Sequence, residues 1–277
     1  MRKLLFLVNP NAGQRRVNKS LTDIIGIFNE GGYEVTVFLT NGPGSGTQIV
    51  QERAKDYDLV VCAVGYIPCG STNDFASTLK LSTDVVQAAK DIMMGAPVEY
   101  DVGRWGDRYF VYIASFGAFT RVSYTTPQNL KNALGHLAYV LSGLQELPQI
   151  RNIPMAMELD GQVLDGEYLF GAVSNSTSVG GVFTLDASQV DLRDGKFEVF
   201  LVRMPRDMAE LTQCAAALQN HTYDCAAITF RSVSRLRVHQ DPALLWTLDG
   251  ERAEGADVVE IENLHRAIRL VHRQEEP

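Results

Sequence analysis

The sequence predicts an α/β domain followed by a mostly-β domain. Strand-like apolar runs alternate with helical patterns as far as Met94, and that order gives a parallel sheet with right-handed crossovers. From Val98 the texture changes to short strands separated by turn dipeptides. The length, 277 residues, is long for one core and suits two. The domains are therefore placed at 1–98 and 99–277, with the extreme C-terminus free to return to the first.

Leu4 to Val8 reads as a buried parallel strand that ends in Asn9-Pro10-Asn11-Ala12-Gly13. A helix follows from about Val17 to Glu30, with Leu21, Ile24, Ile25 and Phe28 at helical spacing, and Gly31-Gly32 stops it. Tyr33 to Leu39 alternates as the second strand and ends at Thr40. Thr47 to Asp56 is helical, and Asp58 to Ala63 is a third buried strand. The stretch Gly65-Tyr66-Ile67-Pro68-Cys69-Gly70-Ser71-Thr72-Asn73-Asp74 then reads as a strand running into a small polar turn before a helix. Such a turn suits phosphate oxygens. Asp84 to Met94 is a helix ended by Gly95 and Pro97.

One junction conflicts with this order. The third strand ends near Ala63 and the next run begins at Tyr66, whereas parallel neighbours need a crossover of a dozen or more residues. Either the two runs are one bent strand or a turn and helix are missing between them.

In the second half, Tyr100 to Gly103 and Arg108 to Ala114 form a hairpin around Gly106-Asp107. Asn129 to Leu147 carries an amphipathic stripe at Leu130, Leu134, Leu137, Leu141 and Leu144. Met155 to Leu159, Tyr168 to Ser174, Lys196 to Val202, Ala227 to Phe230, Arg235 to His239 and Val258 to Ile261 are strands. Asp160-Gly161 and Asp194-Gly195 are hairpin-type dipeptides.

Composition narrows the function. Net charge is -8, which on average repels nucleic-acid phosphates, so no nucleic-acid partner is expected. Apolar residues make up 45%, an ordinary globular value. The cysteines, Cys62, Cys69, Cys214 and Cys225, form no Cys-x-x-Cys pair. That argues against a disulfide framework or zinc site and for thiols in a reducing cytoplasm. The apolar run after Arg2-Lys3 is too short for a signal peptide, and no run of about 18 apolar residues predicts a membrane span.

Four polar constellations could carry chemistry. Asn9 to Gly13 and Thr40 sit at carboxyl ends of parallel strands, where such sheets bind ligands; an ordinary strand-to-helix turn reads equally well. Gly70 to Asp74 lies at the same edge, or is a plain helix cap by Ser71 or Thr72. Asp249 and Glu251 are paired carboxylates two apart that could serve as base and metal-proximal acid, or a hairpin turn. Asp191-Leu192-Arg193-Asp194-Gly195-Lys196 could offer a carboxylate and carbonyls to a hard cation such as Mg²⁺, or be a hairpin with solvated aspartates. The five histidines show no metal spacing. Phe116, Phe119, Tyr124 and Tyr139 read as core or the wall of a lipid pocket.

Taken in order, these motifs resemble the bacterial diacylglycerol kinase family of soluble lipid kinases. The similar residues are Asn9 to Gly13, Gly65 to Pro68, Gly70 to Ala76, Phe116 to Pro127, Gly135 to Tyr139, Asp194-Gly195 and Leu248 to Glu251. The resemblance implies a three-layer α/β nucleotide-binding domain, a β-sandwich domain, and an ATP site in the cleft between them. By the same resemblance Asn9, Pro10, Asn11, Ala12, Gly13, Thr40 and Ser71 touch ATP, and Asp74 belongs to a network of aspartates. Asp194, with carbonyls of Asp191 and Lys196, holds a structural Mg²⁺, and Asp249 and Glu251 are the catalytic pair. ATP and Mg²⁺ are the implied cofactors, and a diacylglycerol-like membrane lipid is the implied partner. A cytoplasmic protein in transient contact with the inner membrane surface is implied, and a homodimer stays open.

One departure stands out. The family's Gly-Gly-Asp-Gly-Thr motif, which follows the third strand, has no counterpart here, and its place falls between Ala63 and Gly65. The short crossover and the absent motif locate the same gap. A segment is expected there in the natural protein; an intact mass of 30.6 kDa would exclude it. Two rivals remain: a kinase for a sphingoid base or NAD-like hydroxyl, and a non-catalytic nucleotide- or lipid-binding relative.

Overall fold

The computed structural model describes residues 1–10, 16–42, 44–62, 67, 74–117, 152–179, 183–185, 187–220, 222–223 and 225–273. Two compact units result: Met1–Val98 with Arg269–Pro277, and Glu99–Ile268.

The first unit is built on strands β1 (Arg2–Val8), β2 (Tyr33–Leu39) and β3 (Leu59–Cys62), in the order β2-β1-β3, all parallel. β1 is central, so its run Leu4 to Val8 is buried on both faces. Helix α1 (Arg16–Glu30) buries Ile24 and Phe28 against Leu4, Phe6 and Val8. The Phe6 and Phe28 rings meet edge to face at 5.5 Å. α2 (Ser45–Arg53) buries nothing, and α3 (Asp74–Thr78) is short. α4 (Val85–Met94) adds Val85, Ala88, Ala89 and Ile92 to the same core. It starts one residue after the sequence expectation because Asp84 is its N-cap, accepting from the N–H groups of Val86 (3.0 Å) and Gln87 (2.8 Å). Of the expected strand at Tyr66-Ile67, only Ile67 is described, a fully buried bend.

The second unit is a β-sandwich. Its strands are β4 (Ala96–Trp105, which starts in the first unit), β5 (Arg108–Phe110), β6 (Ile113–Gly117), β7 (Ile153–Leu159), β8 (Gln162–Tyr168) and β9 (Phe170–Ser174). A small ladder, β10 (Ser178–Val179) and β11 (Phe183–Thr184), precedes β12 (Phe197–Val202) and helix α5 (Met208–Gln219). β13 (Ile228–Val233), β14 (Arg235–His239), β15 (Leu245–Leu248), β16 (Glu251–Glu254) and β17 (Val258–His272) complete it. One sheet runs β13-β12-β9-β6-β15-β16, the other β5-β4-β17-β14-β7-β8. Phe197, Val199, Leu201, Phe116 and Trp246 of the first sheet pack on Met157, Leu236, Val238 and Ile261 of the second. The first sheet's outer face carries Ile113, Ala172, Phe200 and Val202, which pack with Cys214 of α5 and with Tyr223 and Cys225.

Several expectations change. The strand expected from Tyr168 to Ser174 is the end of β8 and all of β9, joined at Leu169. Asp160-Gly161 does form a hairpin, with φ of 45° and 87° and Leu159 paired to Gln162. Asp194-Gly195 does not: the turn feeds β12, whose partners are β9 and β13. The expectation against disulfides fails at Cys214 and Cys225, which are bonded, with Cα atoms 5.5 Å apart. α5 puts Cys214 on its buried face, and the chain returns beneath it, so eleven residues of separation close without any spacing signal. Cys62 is a free thiol, raised by burial. The helix expected from Asn129 to Leu147, with Phe119, Tyr124 and Tyr139, lies outside the described residues; Phe116 is core.

Candidate active site

In the first unit, Asn9 and Thr40 emerge side by side. Val8 pairs with Leu39, and the Thr40 N–H donates to the Val8 carbonyl at 2.9 Å. Asn9 and Pro10 therefore share the carboxyl edge of the sheet with Thr40, where an α/β fold presents a ligand site. Asp74 is the first residue of α3. Asn11, Ala12, Gly13 and Ser71 lie outside the described residues.

In the second unit the structure separates the two carboxylates that the sequence paired. Leu248 pairs with Glu251, so Asp249 and Gly250 are a two-residue hairpin turn with φ of 50° and 88°. Asp249 thus has the positive φ that Asp tolerates better than most residues. Its carboxylate turns inward and accepts three backbone N–H groups: Val111 at 2.7 Å, Tyr112 at 3.0 Å and Ile113 at 3.0 Å. Burial pushes its pKa up, the three amides oppose this, and the Glu251 charge adds to the rise. Glu251 opens β16, and its side chain is 83% exposed. The Arg108 guanidinium lies 3.8 Å from it and is itself anchored on the Arg252 carbonyl at 2.7 Å. One carboxylate is turned inward onto backbone amides and the other is exposed beside an arginine.

The turn from Asp191 to Lys196 is organised from beneath by Asp101. This carboxylate is 1% exposed and accepts the N–H of Gly195 (2.7 Å) and of Arg266 (2.7 Å), with His265 Nδ1 at 3.1 Å. Within the turn, Asp194 Oδ1 accepts the Lys196 N–H at 2.9 Å and Asp191 Oδ1 accepts the Arg193 N–H at 3.0 Å. The Lys196 carbonyl accepts Asn263 Nδ2 at 2.9 Å. Two residues further on, Glu198 is buried, and burial followed by the Asp194 charge pushes its pKa up to about 8. Glu198 Oε2 and Asn263 Oδ1 are buried oxygens without a hydrogen-bond partner. Acceptor oxygens left over beside an acidic turn fit a hydrated hard cation, which brings both positive charge and water donors. Among the described residues, no three His, Cys, Asp or Glu side chains converge as a metal centre, so such a site must draw on carbonyls and water.

Sequence reasoning missed Asp101, His265, Asn263 and Glu198 as members of this region. Two of them carried a signal. Asp101 interrupts Tyr100 and Val102, and Glu198 interrupts Phe197 and Val199 to Val202, each a carboxylate inside a buried-strand run.

The comparisons with known proteins match both units of the chain. The family model described as diacylglycerol kinase catalytic domain matches residues 3–65 and 62–105. Its two pieces meet where the crossover is too short. A second model, described as YegS C-terminal NAD kinase beta sandwich-like domain, matches 113–272. The diacylglycerol kinase of Bacillus subtilis (strain 168) is 30% identical over 299 residues, covering 99% of this chain and 98% of that protein. The alignment is longer than the 277 residues of the chain, so it carries gaps on this side. The diacylglycerol kinase of Staphylococcus carnosus (strain TM300) is 32% identical over 235 residues, 76% of each chain. A solved diacylglycerol kinase structure from Bacillus anthracis str. Sterne has the same fold, with a TM-score of 0.70 at 19% identity over 98% of this chain and 97% of that one. A second structure from that organism reaches 0.76 at 22% identity over 98% and 95%. With family models matched in both of its units and a relative 30% identical along nearly the whole of both chains, the chain belongs to the diacylglycerol kinase family of lipid kinases.

Proposed function

We propose that this phosphotransferase moves the γ-phosphoryl group of ATP to the hydroxyl of a diacylglycerol, giving phosphatidic acid and ADP. The observation that carries the assignment of roles is the division of labour at the 249–250 turn. Asp249 spends its carboxylate on three amides, which leaves Glu251 as the exposed base. Glu251 takes the hydroxyl proton as the lipid oxygen bonds to the γ-phosphorus and the bond to the ADP oxygen breaks. Asn9 to Gly13, Thr40 and Ser71 contact ATP in the unit that begins the chain, and Asp74 orders the polar network beside it. The second unit presents the lipid. Asp194, with carbonyls of Asp191 and Lys196, would hold Mg²⁺, which would bring positive charge to this acidic turn. The reaction takes place at a membrane surface, reached by peripheral contact.

The test is formation of labelled phosphatidic acid from γ-labelled ATP and diacylglycerol vesicles, compared between the wild-type protein and folded Glu251→Gln. Near-normal rates in the variant would remove Glu251 from its role. Labelled product on a sphingoid base or NAD instead of diacylglycerol would move the substrate assignment. A second reading, nucleotide or lipid binding without turnover, is favoured by one observation. The glycine amides that would cradle the phosphates are absent between Ala63 and Gly65. ATP binding without labelled product would support it.

A further inference from the structure

β12 is buried from end to end, and five of its six residues are apolar. Phe197, Val199 and Leu201 face the core between the sheets, and Phe200 and Val202 face the core under α5. By strand alternation Glu198 belongs to the second face. It sits in register between Ser174 of β9 and Ser232 of β13, and it is 1% exposed. Its Oε2 has no hydrogen-bond partner, and no cation pairs with it among the described residues. The charges that bear on it most are both negative, Asp194 and then Asp191. A buried carboxyl oxygen in that position is costly unless a hydrogen-bond donor reaches it.

We propose that Glu198 is a further acceptor of the cation site at the 191–196 turn, its Oε2 taking hydrogen bonds from water held by the cation. This rests on the reading of that turn as a Mg²⁺ site. Small, hard Mg²⁺ gives up its water reluctantly, so part of its recognition falls to groups that hold its waters rather than the ion. Asp191 and Asp194 each already bond one backbone N–H of their own turn, so neither can supply all of the acceptors a hydrated ion needs. Glu198 Oε2 is an acceptor with no other use, placed where the strand leaves the turn. The Ser232 hydroxyl beside it bonds the Glu198 carboxyl and the Ser174 hydroxyl donates to the Tyr112 and Ser176 carbonyls at 3.2 Å, yet Oε2 is left without a partner.

Mg²⁺ binding to the full chain by isothermal titration, without ATP or lipid, tests this on four proteins: wild type, Glu198→Gln, Glu198→Thr and Asp194→Asn. The expected result is binding in wild type, its loss in Asp194→Asn, and weakening of about 10-fold or more in both Glu198 variants. Folding is checked in each by circular dichroism, and Glu198→Thr keeps the test open should the amide fail to fold. Wild-type-like Mg²⁺ affinity in a folded Glu198 variant, with binding lost in Asp194→Asn, overturns the role of Glu198 and leaves the turn site intact. No Mg²⁺ binding to the wild-type protein overturns both.

Discussion

Replacing Asp249 by alanine would leave the N–H groups of Val111, Tyr112 and Ile113 without their acceptor. Each buried donor so orphaned costs about 1–3 kcal/mol. Asp249→Ala should therefore lower thermal stability by more than about 3 kcal/mol. Glu251→Gln should change stability by less than about 0.5 kcal/mol and lower the transfer rate about 10²–10⁴-fold. Calorimetry and a kinase assay on the same two proteins check the split; equal effects on both quantities would contradict it. From the sequence the two carboxylates read as a base and a metal-proximal acid, or as a hairpin turn. What distinguishes them is a set of amides 136 to 138 residues upstream, which no local pattern can reveal. Glu198 makes the converse point. Its place inside an apolar run was visible, but its burial and its unmatched oxygen needed the strand's neighbours to be known.

At the scale of elements, α5 depends on a charge cluster at its first turn. Glu210 accepts the Arg206 N–H at 2.6 Å and pairs with Arg203 at 2.8 Å. The Arg206 amide holds its pKa below the usual carboxylate range against the effect of burial, and the Arg206 and Arg203 guanidinium groups add to the lowering. A depressed folded pKa means that the unfolded chain takes up the proton first as pH falls. The stability Glu210 contributes is then present above about pH 4.3 and fades below it. Glu210→Gln should flatten that acid limb of the stability profile; an unchanged limb would contradict the assignment. A second element-level constraint is Gly117, which ends β6 with φ of 88° and would place a Cβ 2.2 Å from the Leu169 carbonyl oxygen. Gly117→Ala should destabilise by about 2 kcal/mol or more in urea unfolding, and a neutral effect would mean the strand end shifts freely. Strands with alternating or uniformly apolar residues were legible, β2 and β14 to the residue. α5, β8, β15 and β16 were not. β15 and β16 are short, and α5 owes its position to the sheet beneath it rather than to a strong stripe of its own.

At the scale of the whole molecule, the two-part organisation followed from the change of period near Val98. The parallel sheet followed from the strand-helix alternation before it. The gap after β3 was found twice from the sequence, by counting crossover residues and by the absent glycine motif. The break of the family match at 62–65 falls at the same place. What the sequence could not supply was how the turn at 191–196 is held, because Asp101, His265 and Asn263 come from strands far away in the chain. The central claim is that this fold transfers phosphate to a lipid. Incubation of the purified protein with γ-labelled ATP, Mg²⁺ and diacylglycerol vesicles tests it most directly. The account predicts labelled phosphatidic acid from the wild-type protein and a loss of about 100-fold or more with Glu251→Gln. A folded protein that binds ATP and yields no labelled lipid would contradict it.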